Sequence, residues 1–523
     1  MTSQDCNTNT SSRALSLQRF SWVLLGVSLL VACSSVCLPH WLPFQDLPAH
    51  AGHLAVRERL ASSPFEQQYL LESAKLGPYS LFRGLGHALS PLLGPLGAIR
   101  GAAILPMLLT PLSALWLRRR VAGVWDPAYA LLGLYSTLGL MLMFGFASFL
   151  TGTAILIASY TFFLALPEAT HLWRAVALAA ASALLTFYAH GFALLMLGIL
   201  SLAAASYRVS LTRALCMFLA LLPAGAAAVW SIIEVRSIAG LVSRSEDTAQ
   251  TLFQGPLAKL SLLASPMLLT RFGVDVALGM AVWGTLAAAS WRWRKQAGLD
   301  AGVQSLRARR GALLLLAVFV VAPHNAHWFG FVDGRLLPTV YLLIAASLPA
   351  AWWTSRARAL LGCTVLAQCT LLGGSVLLFQ HEMAGFEQAR NAIPANQRVL
   401  HLPLSTDSAF VVGHPFVHAD KLLLLEQPEL LSDMWLHQGT GLYARAQNPS
   451  MHLPLQYSGT ALRAESAWKG ILTEEWDYAL VHSPLDATVM RKVVPATWCL
   501  RTHAQMWFVF QRDQKSAPCP TAP

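Results

Sequence analysis

Gln45-Asp46-Leu47-Pro48-Ala49-His50-Ala51-Gly52-His53 follows closely on an apolar run from Ser21 to Leu38. A carboxylate and two imidazoles therefore stand where the chain leaves a membrane. Pro48 fixes φ and suits the first turn of a helix. Asp46 is spaced to cap that helix and to favour its positive end. If the helix continues past Ala55, then Asp46, His50 and His53 fall at i, i+4 and i+7 and share one face.

Outward from this stretch, the composition sets the class. Of 523 residues, 55% are hydrophobic and 12% charged, against roughly 25% charged in soluble proteins. Mean hydropathy is +0.50. The chain reads as an α-helical polytopic membrane protein. The net charge of +11 does not point to nucleic acid, because the basic residues sit in short clusters between apolar runs. The 8 cysteines form no C-x-x-C pair and no zinc spacing. Cys499 and Cys519 can pair if the tail is extracytoplasmic. Arg13 and Arg19 before the first run resemble a signal peptide, and Leu30-Val31-Ala32-Cys33 resembles a lipoprotein box. The preferred reading is an uncleaved first span.

Apolar runs at 21–39, 97–117, 127–144, 146–166, 174–189, 191–206, 212–233, 273–290, 311–323, 338–354 and 358–379 predict about eleven spans. The run 311–323 is short and must borrow flanking residues. With Arg13 and Arg19 cytoplasmic, Arg118 to Arg120, Arg174, Arg208, Arg213, the Arg292–Arg310 set, Arg356 and Arg358 all fall on the same side. This parity obeys the positive-inside rule. The expected layout is a cytoplasmic N-terminal tail (1–20), a membrane domain (21–379) with a large first outer loop (40–96), and an extracytoplasmic α/β domain (380–523). In that last part, 398–404, 477–482, 498–503 and 506–512 read as strands. The stretch 422–431 reads as helical, with Pro428 as its breaker. The expected location is the bacterial inner membrane.

An outer loop that opens with a carboxylate just after the first span resembles the GT-C superfamily of membrane glycosyltransferases. A second match is Asp333-Gly334-Arg335-Leu336-Leu337-Pro338 after His327. It is similar to the late outer-loop element in which an Arg before a Pro-containing span meets a carrier phosphate. The resemblance covers the whole architecture on these two short stretches. The paired acids of many members are missing, since Leu47 and Pro48 follow Asp46. The resemblance implies ten to thirteen spans, a catalytic acid in the first outer loop, and transfer of a sugar from a polyprenyl-phosphate carrier in the membrane to an extracytoplasmic acceptor.

The residues allow the same chemistry. A hydroxyl acceptor is a weak nucleophile at neutral pH, and a carboxylate can take its proton as the glycosidic bond forms. Asp46 is the candidate base; its alternative role is the helix cap. The departing phosphate needs a fixed cation, for which the Arg335 fork is suited, with Lys259 and Arg271 as weaker candidates. His50, His53, His190 and His327 are candidate substrate contacts or ordinary interfacial side chains. A divalent metal on Asp46, His50 and His53 is the alternative way to polarise the phosphate. A transporter or flippase of a lipid-linked solute would need ionisable groups in mid-span, and the runs are almost free of them, Arg100 near a span start excepted. A non-catalytic scaffold would keep the same plan.

Overall fold

The computed structural model describes residues 5–72, 76–238, 251–263, 268–295, 302–326, 329–349, 354–432, 434, 442–445, 468 and 475–513. Helices stand at all eleven apolar runs. Among the described residues, seven are long and apolar enough to cross a membrane, including Gln18–Cys37, Ala147–Glu168, Leu211–Glu234 and Ser355–Glu382. Gly191–Ala205 and Gly334–Ser347 are apolar but shorter. A helix suits this setting because it satisfies its own backbone groups where no water can. The short run at 311–323 does borrow upstream residues, giving a helix Val303–Val321.

Two runs depart from straight spans. The run 97–117 lies within a helical stretch Ser80–Ala122, which kinks at Gly94. Ser80 to Leu93 thus forms a separate limb of the loop that follows the first span. The run 127–144 forms Pro127–Thr137, breaks at Leu138, and resumes only for Leu140–Met143. The following Gly145 has φ +77.

The basic loops come together at one end of the bundle. Arg120 and Arg307 both pair with Glu168, at 2.7 and 3.5 Å. Arg358 pairs with Asp126 at 3.0 Å. Buried Arg118 donates to the carbonyls of Ala346 and Leu348, where helix Leu337–Ser347 ends. Cations at helix C-termini are favoured by the exposed carbonyls there. Arg100 works the same way at the other end, donating to the carbonyls of Cys37 and His40 just past the first helix, so it is no mid-span transport charge.

The first and last spans lie side by side. Gly362 opposes Leu24, and Gly373 opposes Ser35. At their upper ends the Trp41 N–H donates to Gln380 Oε1 (2.9 Å) and Gln380 Nε2 donates to the Trp41 carbonyl (2.7 Å). The loop after the first span and the C-terminal region therefore emerge together.

The C-terminal region holds a five-stranded sheet in the order Glu429–Leu431, Gln397–Pro403, Tyr478–His482, Trp507–Arg512, Trp498–Ala504. The first three strands are parallel and the last two pairings antiparallel. Four of the strands match the sequence reading to within a residue or so. The stretch 422–431 does not: it is a 3-10 helix Ala419–Leu425, and beyond Pro428 it becomes the edge strand Glu429–Leu431. Asn396 N–H bonds the Pro428 carbonyl (2.7 Å), which seeds that pairing. The sheet is covered on both faces because strand side chains alternate. Leu400, Ala479, Val481, Phe508 and Phe510 face Trp468 and Met490. Val399, Leu480, Trp507 and Val509 share the opposite core with Trp41, Val56 and Phe379. That second core joins the sheet to the loop after the first span.

Cys499 is disulfide-bonded, while Cys519 lies outside the described residues.

Candidate functional site

Helix Leu47–Arg59 begins as read, with Pro48 in its first turn, but Asp46 does not cap it. Its backbone is helical (φ −88, ψ −8) and its side chain makes no cap hydrogen bond. A cap needs an extended backbone that turns its oxygen back on the N2 or N3 N–H. Here N2 is Pro48, which has no N–H to offer, and the helical Asp46 backbone leaves its carboxylate without a bond to the N3 N–H either. The carboxylate is left for other work.

Asp46 is held by backbone on its outer side. Gln45 N–H donates to Met143 O (2.9 Å) and Asp46 N–H to Phe144 O (3.2 Å). The approach is possible because residue 145 is glycine. A Cβ there would lie 2.6 Å from the Asp46 nitrogen.

Several charged and aromatic groups converge on this carboxylate. Asp46 is buried, and His418 Nε2 stands 3.7 Å from its Oδ1. Burial pushes the Asp46 pKa up to about 6, against the opposing pull of His418, of the Arg335 guanidinium and of a Gln45 hydrogen bond. Arg335, buried as well, thus lies within electrostatic reach of position 46 although 289 residues separate them in the chain. The Arg335 guanidinium sits 4.0 Å from the centre of the Phe146 ring, 4.1 Å from Phe329 and 5.2 Å from Phe149. Its Nε donates to Gly330 O (3.1 Å). Ring faces attract a cation while leaving its N–H edge free for an anion.

Tyr79 is within electrostatic reach of both charges. Burial raises its phenol pKa, Arg335 opposes this, and Asp46 adds to it. Its φ of +71 is unusual for a side-chain-bearing residue. Phe331, packed on Phe144 at 4.3 Å, has φ +56. Such conformations gather where surrounding structure fixes a site.

His190 is buried between helices Leu172–Ala189 and Gly191–Ala205. Its ring meets Tyr79 edge-on at 4.8 Å, and Nδ1 accepts the Phe192 N–H (3.1 Å). Burial and then the Arg335 charge push its pKa well down, so the imidazole is neutral. Gly152 makes room for it, since a Cβ there would lie 2.6 Å from the His190 Cβ.

The remaining expected residues have other settings. Lys259 is buried and pairs with Asp333 (2.8 Å), donating also to the carbonyls of Phe319 (2.8 Å) and Ala322 (2.5 Å). An ammonium has three donors, so Lys259 is consumed as a clamp and does not offer itself to a phosphate. Burial alone would raise the Asp333 pKa, but hydrogen bonds from His324, Lys259 and the Gly334 N–H bring it below the usual carboxylate value. This clamp fixes the turn that presents Arg335. Arg271 is likewise engaged, with Asp407 (2.9 Å) and Val411 O (3.2 Å). His50 packs edge-on against Phe82 (5.0 Å), and with His53, Arg57 and Arg83 it lines a hollow between helix Leu47–Arg59 and the Ser80–Leu93 limb. Burial, then His418, lowers the His50 pKa to about 4. Among the described residues, no group of three or more His, Cys, Asp or Glu side chains is placed to hold a metal ion. The expected trio Asp46, His50 and His53 is not assembled as a ligand set, because the helix carries His53 toward the Arg57–Arg83 hollow. His327 lies outside the described residues.

The sequence reading did not single out Tyr79, Phe146, Phe149, Phe329 or His418. Two signals were available: Phe144-Gly145-Phe146 closing a broken apolar run, and His414-Pro415-Phe416-Val417-His418 in the tail.

The helical bundle with its sheet-bearing C-terminal region is a fold shared with solved structures. Similar solved structures include ArnT from Cupriavidus metallidurans bound to undecaprenyl phosphate, with TM-score 0.55 and 11% identity over 96% of this chain and all of that one. Arabinofuranosyltransferase AftD from mycobacteria gives TM-score 0.50 and 15% identity over 96% of this chain and 40% of that one. No family model matches the sequence, and no curated protein does.

Proposed function

We propose that this protein moves a sugar from a polyprenyl-phosphate carrier to an extracytoplasmic hydroxyl acceptor, with inversion at the anomeric carbon. The carrying observation is a buried carboxylate and a buried guanidinium within electrostatic reach of each other, at the end of the bundle away from the basic loops. In this reading the acceptor oxygen attacks the anomeric carbon as Asp46 takes its proton. The bond from that carbon to the phosphate oxygen breaks, and the departing phosphate takes its charge to Arg335. Tyr79, His190 and the phenylalanines around Arg335 exclude water from the exchange, which strengthens both electrostatic interactions. The undecaprenyl phosphate in the ArnT structure supports a lipid-linked donor. The bundle end bearing Asp46 is extracytoplasmic in this reading, which agrees with the basic loops at the other end.

Asp46→Asn tests it. The change is nearly isosteric and removes only the proton-accepting charge. Membranes carrying the variant, given undecaprenyl-phosphate donors with radiolabelled pentose or hexose, are expected to lose transfer while inserting normally. The wild-type rate should fall as pH drops through about 6, because a base must be ionised to act. Full transfer by Asp46→Asn removes the assignment.

A further inference from the structure

The C-terminal region does not merely follow the membrane bundle; it is bolted to the helix that carries Asp46. The 3-10 helix Ala419–Leu425 lies directly on helix Leu47–Arg59. A Cβ on Gly52 would stand 2.6 Å from the Lys421 carbonyl. Arg59 donates to the Leu424 carbonyl. Val56, Leu60, Leu422, Leu423 and Leu424 share one buried core. Beneath them Asp420 pairs with Lys421 (2.9 Å) and His401 (3.2 Å), which ties this segment to the sheet.

The turn just before that segment reaches the site itself. The His414 backbone N–H donates to Gln45 Oε1 (3.1 Å), one residue from the carboxylate. The His414 ring pairs with Asp407 (2.6 Å), and Asp407 with Arg271 (2.9 Å). Arg271 N–H and Val412 N–H complete the seam, bonding the Phe410 and Leu269 carbonyls. Four residues beyond His414, His418 stands with Nε2 3.7 Å from Asp46 Oδ1 and its side chain 11% exposed.

We propose that the C-terminal region completes the reaction centre: the 413–418 turn sets the His418 imidazole against the Asp46 carboxylate as a positioning residue, and the Arg271–Asp407–His414 chain fixes that turn on Gln45. The proposal rests on the reading of Asp46 as the base and deepens it. His418 engages one carboxylate oxygen and leaves the other to face the acceptor. When protonated, it also favours the ionised carboxylate. The groups acting on Asp46 are His418 from the C-terminal region, Arg335 from the turn before helix Leu337–Ser347, and Gln45 beside it; Asp46 in turn acts on Tyr79 at the head of the Ser80–Ala122 helix. His50, one turn along, also faces His418.

The test uses the full chain in lipid nanodiscs. Protonated carboxyls are trapped by carbodiimide and glycine ethyl ester between pH 4.5 and 8, and labelling of the Asp46 peptide is read by mass spectrometry. The wild-type midpoint is expected near about 6. In His418→Gln it should rise by about half a unit or more, because the imidazole that lowers the carboxyl pKa is lost. The acid limb of transfer should move with it, kcat falling while KM for the undecaprenyl-phosphate donor holds. His414→Ala, at an exposed position, loosens the turn without touching the core and should shift the midpoint the same way by less. A midpoint and acid limb unmoved in both variants overturn the proposal. Labelling needs no turnover, so this outcome is separable from that of Asp46→Asn.

Discussion

Replacing Gly145 by Ala asks how tightly the site depends on backbone placement. Two costs arise. The residue has φ +77, and a left-handed conformation costs a side-chain-bearing residue about 1–2 kcal/mol. The new Cβ would also lie 2.6 Å from the Asp46 nitrogen and 2.9 Å from the Leu47 nitrogen. Both are backbone atoms, so no side chain can swing aside. Ordinary contact begins at 3.4 Å, so Asp46 must retreat by roughly 0.8 Å, and a misplacement of about 1 Å costs roughly 100-fold in rate. Overpacking adds about 1–3 kcal/mol of instability. Gly123 is the control: its φ is +75, but nothing lies within 4 Å of a Cβ there. Gly123→Ala therefore bears the conformational cost alone. The assay pairs transfer from radiolabelled undecaprenyl-phosphate donors with thermal unfolding in detergent. Gly145→Ala should lose nearly all transfer and melt lower than Gly123→Ala, which should keep its rate. Equal rates and equal melting in the two variants would refute the argument that Gly145 seats the carboxylate.

Other outcomes follow from the same geometry. Arg335→Lys keeps the charge but loses the planar fork packed among Phe146, Phe149 and Phe329, so the donor concentration for half-maximal rate should rise about tenfold or more; an unchanged dependence counts against phosphate holding. Lys259→Met leaves buried Asp333 with the His324 ring and the Gly334 N–H as partners but without its ammonium, and breaking such a pair costs about 3–5 kcal/mol. Its thermal unfolding should drop sharply, and a wild-type midpoint would mean the clamp is dispensable. Gly152→Ala drives a methyl into the His190 side chain, so transfer should fall while the protein still inserts; full activity would show that His190 needs no fixed position.

Much of the architecture was legible because a membrane imposes a simple rule. Each apolar run must satisfy its backbone internally, so runs of adequate length became helices, and the loop charges predicted their common end. Arg120, Glu168, Arg307, Arg358 and Asp126 do meet there. The strands at the tail were legible as apolar runs of strand length; Tyr478 to His482 is buried throughout, with side chains going to two cores in turn. The candidate pair Asp46 and Arg335 was legible from residue type and place beside a span.

Tertiary structure decided what local pattern could not carry. Lys259 and Arg335 look alike in sequence, each a cation in a loop between apolar runs; the carbonyls of Phe319 and Ala322 make one a clamp, while three rings hold the other within reach of Asp46. Pro48 predicted the helix start but not that a helical backbone at Asp46 would keep its carboxylate out of the cap. His418 lies 372 residues beyond Asp46, and no periodicity links them. Local rules act over one or two turns of chain. Long-range contacts depend on which faces pack, and here the packing of the first span on the last brought the tail over the acid.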